Sequence, residues 1–569
     1  MIGLMRSGEI SRRLATLLAP ATLAACAPAE LPPRSSGAAA AFLDVTAESG
    51  LDFDFDRAAH GDYFMPDSMA AGCALLDFDV DGDLDVYIVN GYWSRDGGRP
   101  VNGANRLYRQ GPDGRFVDVT AGSGSGDLGY GMGVAVGDID NDGDPDLFVS
   151  NYGADALYRN EGDGRFSDVT AESGLGDTGW GASAGFLDYD ADGRLDLFVT
   201  RYLELDPSLR TVDSAGRPEY PGPTCCAGVT DLLYRNLGDG RFADVSVASG
   251  IAAVTGRGLG TAFVDLDRDG RIDIYVANDG EANRAWVQRD GGTFVDRATE
   301  LGIALNVHGG AEAGMGIAVG DLHGRGSLDL LVTHLSQESN TLYRAESGGG
   351  FSDATLGSGL GASSVDFTGF GATLLDVDLD GLLDPLVING RVLRAPVRDG
   401  NRLGAHWAPY AEANLLYANE GDGRFRLALE TCGTLCSEVE VGRGLAAGDI
   451  DNDGDLDVLL SNGNGTVRLY RNVRPRDAHW IAVRAVDAAS GRDLYGSVVR
   501  VAVGGRTLRR DVTPVHSYLS SADPRAYFGL GDAGSIDGLD VTWPDGTTER
   551  FGALGVDAIH LLRPGEGQP

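Results

Sequence analysis

The chain has 569 residues, enough for more than one domain with a core of its own. Its formal charge is −38, from 84 acidic residues against 46 arginines and no lysine, so nucleic-acid binding is not expected and neither a Schiff-base nor a phosphate-loop lysine exists. The 85 glycines, many in Asp-Gly and Asn-Gly pairs, point to turn-rich β structure.

In chain order the first element is an export signal, assigned to residues 1–26. Arg6, Arg12 and Arg13 precede the apolar stretch Leu14–Ala25, which is too short for an ordinary membrane span. That stretch ends in Leu23-Ala24-Ala25-Cys26, which resembles the lipobox of bacterial lipoproteins. The resemblance implies cleavage before Cys26, lipidation of that cysteine and, with Ala27 following it, sorting to an outer membrane. Simple secretion with a cut nearby stays open. Residues 27–41 read as a flexible tether. No other segment is long and apolar enough to span a bilayer, so contact with a membrane is expected only through the anchor.

Residues 42–472 are repetitive. The pattern D-x-D-x-D-G-x-x-D occurs six times, each after a Gly-rich apolar segment and before a short β-branched run. A Leu-Tyr-Arg-Asn-like strand and, in most copies, a Gly-Asp-Gly-Arg-Phe turn and Asp-Val-Thr follow. Four short strands per unit is the signature of a propeller blade. The expected fold is all-β: a seven-bladed β-propeller with calcium loops, then a small all-β, sandwich-like C-terminal domain.

Alternate aspartates in a tight loop converge on one point, and hard oxygen donors at that density select Ca²⁺. The candidate ligand positions are Asp77, Asp79, Asp81, Asp83 and Asp85 in the first copy, and Asp138, Asp140, Asp142, Asp144 and Asp146 in the second. The third and fourth offer Asp188, Asp190, Asp192, Arg194 and Asp196, and Asp265, Asp267, Asp269, Arg271 and Asp273. The last two offer Asp376, Asp378, Asp380, Leu382 and Asp384, and Asp449, Asp451, Asp453, Asp455 and Asp457. An EF-hand is excluded because its bidentate Glu at position 12 is replaced by Ile88, Val149, Val199, Val276, Val387 or Leu460. Position 9 supplies the fourth carboxylate instead. Position 7 is Arg194, Arg271 or Leu382 in three copies, so it offers at most a backbone carbonyl. About six structural calcium sites are expected. A seventh copy, Asp321–Asp329, has His323 and Arg325 at positions 3 and 5. It is expected to be metal-free, with Arg325 pairing Asp321 and Asp329.

These loops resemble the FG-GAP/VCBS repeats of integrin α-subunit propellers. The chain as a whole resembles the cartilage acidic protein family, in which such repeats precede an ASPIC/UnbV domain. The tail residues that carry this resemblance are Gly496–Val501, Ser517–Ser520, Phe528–Gly531 and Trp543-Pro544-Asp545-Gly546. It implies an extracellular, calcium-binding and often adhesive protein. From its own pattern, 473–569 alternates apolar and polar residues between Gly turns, as in a small sandwich, and Trp543-Pro544-Asp545-Gly546 reads as a turn with a packed Trp.

Among the cysteines, Cys432 and Cys436 are close enough to close a small loop, Cys225 and Cys226 form a vicinal bridge or stay free, and Cys73 reads as a buried thiol. Two further expectations concern the ring. Phe42–Thr46 is a last strand without its earlier strands, and Leu469–Asn472 ends a unit lacking that strand, so the N-terminus should complete the last blade. The long insertions 91–105, 202–232 and 391–413 all leave the face opposite the acid loops, and place Trp93, Tyr202, Asp279 and Trp407 there as a candidate ligand surface. The asparagines at position 14 (Asn90, Asn151, Asn278, Asn389, Asn462) belong to that surface or merely cap strand ends.

The expected function is a cell-surface or periplasmic binding and adhesion scaffold with structural calcium, and an extracellular protein or glycan as partner. No catalytic residue is assigned and the protein is not expected to be an enzyme. The alternative is a calcium-dependent polysaccharide lyase or hydrolase, since unassigned carboxylates remain.

Overall fold

The computed structural model describes residues 41–55, 63–91, 103–474, 478–552 and 554–568, all within the compact unit Arg34–Pro569. The signal segment, Cys26, all of the tether except Ala41, and Trp93 lie outside the described residues.

The repeats form seven antiparallel sheets, each following a four-strand path. Their first strands are Cys73–Leu76, Gly131–Gly137, Gly181–Leu187, Gly258–Val264, Ile317–Gly320, Gly369–Leu375 and Gly442–Gly448. These innermost strands contact one another in that order, and the last contacts the first, so the sheets stand in a closed ring: a β-propeller. The inner strands are Gly-rich because they crowd toward the axis. A Cβ on Gly316 would sit 2.0 Å from Phe370 O of the next blade, and one on Gly260 2.2 Å from Met315 O.

The repeat motifs each have a physical task. In the Asp-x-Thr segment that ends the fourth strand, Asp168 Oδ1 accepts the Thr170 N–H (3.0 Å) and the Thr170 hydroxyl accepts the Leu157 N–H (2.9 Å), tying the turn before a one-turn helix, Thr170–Ser173, to the third strand. The last residue of Leu-Tyr-Arg-Asn ties one blade to the one before. Asn160 Nδ2 donates to Phe78 O (2.7 Å), Asn236 Nδ2 to Ile139 O (2.8 Å) and Asn419 Nδ2 to Leu322 O (2.9 Å). Gln110 does the same across the seam, donating through Nε2 to Ile450 O (3.1 Å).

The ring closes as the sequence predicts. Phe42–Asp44 pairs antiparallel with Arg468–Asn472, in the register Phe42↔Asn472. Ala41, assigned to the tether, is fully buried with Phe42 and belongs to this blade. At the far strand ends the capping role holds. The N–H of Asn151 donates to Asp155 Oδ1 (2.8 Å), and Asn151 Nδ2 donates to Ala154 O (2.9 Å). Asn278 and Asn389 repeat the arrangement with Asn283 and Asn414.

The C-terminal part has two sheets. One places His479–Ala485 between Ala526–Gly531 and the parallel strand Ala558–Leu562, and the other runs Arg506–Asp511, Val498–Val503, Gly538–Thr542, Thr548–Phe551. They share one apolar core, to which the second and third blades add Phe148, Phe186 and Leu197. Trp543 is buried at its turn, where Gly546 N–H donates to its carbonyl (2.9 Å).

Between these two sheets, residues 512–523 enter the axial channel of the ring. Ser517 exchanges backbone hydrogen bonds with Ile317 (2.6 and 3.1 Å), Leu519 O accepts the Val134 N–H (3.1 Å), and Asp523 N–H donates to Ala447 O (3.1 Å). Ser520 Oγ accepts from both Cys73 N (3.2 Å) and Leu445 N (3.1 Å). The tail therefore plugs the propeller. Among the described residues, no helix is long and apolar enough to cross a membrane.

Candidate metal centres

Each acid loop is a strand-to-strand turn in one repeated frame. In the first, Asp77 accepts the N–H groups of Asp81 (Oδ1, 3.0 Å) and Gly82 (Oδ2, 3.2 Å), while Asp81 Oδ1 accepts that of Asp83 (3.0 Å). Asp85 accepts the Phe78 N–H on one oxygen (3.1 Å) and that of Gln110 in the third strand on the other (2.7 Å). The frame needs left-handed backbone at position 4 as well as at the glycine in position 6. Val80, Asn141, Ala191, Arg268, Leu379 and Asn452 have φ between +55° and +63°. The seventh blade's loop keeps the frame, with Asp449 accepting from Asp453 (2.9 Å) and Gly454 (2.9 Å), and Asp457 from Ile450 (3.1 Å).

This geometry brings carboxylate oxygens within 4.8 Å of one another in Asp77/Asp79/Asp85, Asp138/Asp140/Asp146 and Asp188/Asp190/Asp196. Two further such triads are Asp265/Asp267/Asp269 and Asp376/Asp378/Asp380. The position-9 carboxylates are nearly sealed, with Asp146, Asp196, Asp273 and Asp457 fully buried. Burial, with the neighbouring carboxylates adding to it, pushes Asp85 and Asp196 up to about 8. Burial likewise raises Asp273 and Asp376 to about 7. Within the clusters one oxygen each of Asp79, Asp140, Asp190, Asp267 and Asp376 is buried with no hydrogen-bond partner. Orphaned hard oxygens facing other carboxylates in a preformed turn fit a bound cation. Positions 1, 3 and 5 are the residues that would hold it, with position 9 closing three of the clusters.

At position 7 the arginine side chains add no oxygen donor and pair with the position-5 carboxylates of their own loops, Arg194 with Asp192 and Arg271 with Asp269. The divergent loop requires a correction. Arg325 does not pair with Asp321 and Asp329. Its side chain is exposed, and only its backbone N–H donates to Asp321 Oδ1 (2.9 Å). The partner of Asp329 is His323 Nδ1, at 2.6 Å. The reason is the turn itself: position 3 points inward at position 9, whereas position 5 lies at the crest.

The opposite face also departs from expectation. Tyr202 is fully buried and donates its hydroxyl to the buried Asp279 (Oδ2, 2.5 Å), and Trp407 is 4% exposed. The insertions from the third and sixth blades meet over the ring, stacking Tyr220 on Trp407 (6.0 Å between centroids) with Tyr63 against Tyr220 (5.2 Å). Tyr410 donates to Glu219 across the same junction. Trp407 thus builds this cover, whereas Tyr202 stands edge-on to Trp180 in a separate cluster and is brought together with Asp279; neither ring is presented to solvent. The two bridges pair Cys225 with Cys226 and Cys432 with Cys436, and Cys73 is a buried thiol.

Sequence reasoning missed the residues of the tail that face the loops. Arg484 lies 3.7 Å from Asp77, Arg510 3.7 Å from Asp376, and Arg492 donates to Gly193 O (3.1 Å). A run of arginines in a tail after an acidic ring was the available signal.

A ring of four-stranded sheets with repeated acid turns defines a repeat propeller, and the sequence comparison gives its family. The chain belongs to the FG-GAP-like repeat family, matched over residues 77–149, 138–199, 226–276, 265–332 and 405–460, and carries an ASPIC and UnbV domain over 487–569. Its curated relatives include cartilage acidic protein 1 of Xenopus tropicalis, 25% identical over 56% of this chain and 38% of that protein. The Homo sapiens protein of the same name is 27% identical over 53% of this chain and 43% of its own length. The chain thus spans about two fifths of these relatives. Similar solved structures include an Agrocybe aegerita lectin described as specifically recognising non-reducing terminal N-acetylglucosamine, with 16% identity over 71% of this chain and 94% of that one and a TM-score of 0.39. Another is YCF48 bound to D1 peptide, with 9% identity over 71% and 94% and a TM-score of 0.38.

Proposed function

We propose that the protein is an exported, calcium-loaded propeller that serves as a non-catalytic binding or adhesion scaffold for an extracellular protein or glycan. One observation carries the reading: buried carboxylate oxygens without partners recur at equivalent positions of the repeated loops. Oxygen-only donors in a flexible turn suit Ca²⁺ at the millimolar levels found outside cells. Export is supported by the arginine-led N-terminal signal, by two disulfides and by the extracellular character that the name cartilage acidic protein attaches to the relatives. A lipid anchor at Cys26 would hold the protein at the outer membrane or cell surface. The scaffold role is supported by the axis being filled by 512–523 on one side and covered by the insertions on the other. That leaves the outer surface of the covering insertions and the rim for partners.

The test is calorimetric titration with calcium together with thermal melts. About six ions should bind, and excess chelator should lower the melting temperature by roughly 10 °C or more. An unchanged melt would refute structural calcium. Screening the loaded protein against glycans and cell-surface extracts for both binding and product formation separates the scaffold from the polysaccharide-active alternative, which product formation would establish.

A further inference from the structure

The divergent loop of the fifth blade, Asp321–Asp329, stands beside a groove of about 650 Å³, the size of a small-molecule site. Its walls carry His323 and Arg325 from the loop, Arg344 from the third strand of the blade, and Arg424 from the Gly-Asp-Gly-Arg turn of the sixth blade. Leu356, 79% exposed, adds an apolar side chain to the same wall. Three arginines around one groove run against the balance of a chain whose formal charge is −38.

The cause is a charge reversal in the loop. In the third blade the arginine of the Leu-Tyr-Arg-Asn strand, Arg235, pairs with the position-3 acid Asp190 (2.7 Å), and in the seventh blade Arg471 pairs with the position-3 acid Asp451. Arg344 holds the same place in its strand. Position 3 of its loop, however, is His323, held by Asp329 through Nδ1 (2.6 Å), and position 5 is a second cation, Arg325. The loss that removed two metal-binding acids therefore also deprived Arg344 of its counter-charge.

The three guanidinium groups are open to a ligand. Arg325 is exposed, and among the described residues its side chain makes no ion pair. Arg344 pairs with Glu346 (2.9 Å) and Arg424 with Asp422 (3.0 Å), but all four side chains are well exposed, and ion pairs so open to water contribute little. Two carboxylates share the walls, Asp353 and Asp422. Those of Asp353 are engaged by backbone, accepting the N–H groups of Thr355 (2.9 Å) and Val307 (2.7 Å). A guanidinium fork matches the geometry of a sulfate or phosphate oxyanion and binds it by charge-assisted hydrogen bonds. The groove is too large for a bare ion, and the exposed leucine suits an organic body attached to one. We propose that this groove binds a sulfate or phosphate monoester, with the oxyanion against Arg325, Arg344 and Arg424 and the organic part along Leu356. The site is separate from the calcium reading, because this loop lacks the acids at positions 3 and 5.

The experiment titrates full-length protein calorimetrically, in calcium-containing buffer of low ionic strength, with glucose 6-sulfate and glucose 6-phosphate as probes and glucose and inorganic sulfate as references. At least one ester should bind saturably at one per chain, with a dissociation constant of about 1 mM or below, and the tighter of the two names the oxyanion. Glucose should not bind, and inorganic sulfate should bind about 10-fold more weakly than the better ester. Arg325→Gln and Arg344→Gln should each weaken that ester about 10-fold or more, and Arg325→Asp should abolish its binding. Both positions are solvent-facing enough for these variants to fold, which unchanged melting temperatures would verify. Arg109→Gln, the matching strand position in the first blade, should leave binding as it was. Saturable binding of neither ester, affinity unchanged in Arg325→Gln and Arg344→Gln, an equal loss in Arg109→Gln, or inorganic sulfate binding as tightly as the better ester would overturn the proposal. None of these results depends on how many calcium ions the acid loops hold.

Discussion

Truncating Tyr518 tests whether the axial plug is part of the fold's stability. The side chain is fully buried in the channel, its ring stands edge-on to Phe370 at 4.9 Å, and its hydroxyl donates to Met69 O at 2.9 Å. Tyr518→Phe keeps the ring and deletes one buried hydrogen bond, which leaves the Met69 carbonyl short of a donor and should cost about 1–2 kcal/mol. Tyr518→Ala also opens a cavity of aromatic size where strands from several blades converge, and should cost about 4 kcal/mol or more. The assay is denaturant unfolding in saturating calcium, followed by far-ultraviolet dichroism and by tryptophan fluorescence. Trp180 and Trp286 report the ring, and Trp480 and Trp543 report the tail. Both probes should move together, because the plug hydrogen-bonds to inner strands of the first, second, fifth and seventh blades. A Tyr518→Ala protein within about 1 kcal/mol of the parent, or a ring transition that stays put while the tail melts early, would refute an integral plug.

Two other perturbations address the ring and the chamber beneath the plug. Deleting residues 42–46 removes the outer strand of the last blade and the buried Phe42 side chain; a loss of at least about 4 kcal/mol or insoluble protein is expected, and a stable monomer of unchanged melting temperature would contradict the closure. His516 lines a cavity of about 120 Å³ between plug and tail, so it keeps some accessible surface, yet removal from bulk water pushes it down to about 4. A histidine depressed in the folded state contributes nothing pH-dependent above its unfolded value near 6.5, and stability is lost as pH falls from there toward 4, by at most about 1.4 kcal/mol per unit. His516→Gln should flatten the stability profile between pH 6.5 and 5, where urea midpoints measured at half-unit steps would show equal slopes if the reasoning is wrong.

The acid loops were legible because each ligand position is set by a local turn, and a turn writes its needs into nine adjacent residues. Closure was legible for a related reason: half a repeat at each end of the array has one complement. The tail's position was not, since Ser517, Leu519 and Ser521 meet backbone groups of strands hundreds of residues away, and backbone acceptors leave no signature in the partner's sequence. Tyr202 and Trp407 misled in a different way. Large aromatic side chains on long insertions suggest a ligand when loops are taken to face water, but here two insertions cover one another with Trp407 in the core of that cover, and Tyr202 is buried against Trp180. Arg325 failed because charge was counted without direction. His323 occupies the inward position 3 and reaches Asp329, whereas Arg325 stands at the crest.

These placements change what the acid-loop face is for. An acidic surface carrying a formal charge this negative would repel a second acidic body, yet the tail meets it with Arg484, Arg492, Arg506, Arg509, Arg510 and Arg525. Several of these guanidinium groups end on loop carbonyls rather than on the ligand carboxylates: Arg492 on Gly193 O, Arg506 on Asp380 O, Arg509 on Gly326 O (3.1 Å) and Arg525 on Asp449 O (3.1 Å). Arginine on a loop carbonyl offsets acidic charge without taking up a carboxylate oxygen, whereas Arg484 and Arg510 approach Asp77 Oδ2 and Asp376 Oδ2 at 3.7 Å. The seventh-copy loop fits the same logic. It has lost two acids, His323 takes the inward place, and the tail still grips its crest through Arg509 and Gly326, so the frame is retained there for docking even where the ligand set is gone.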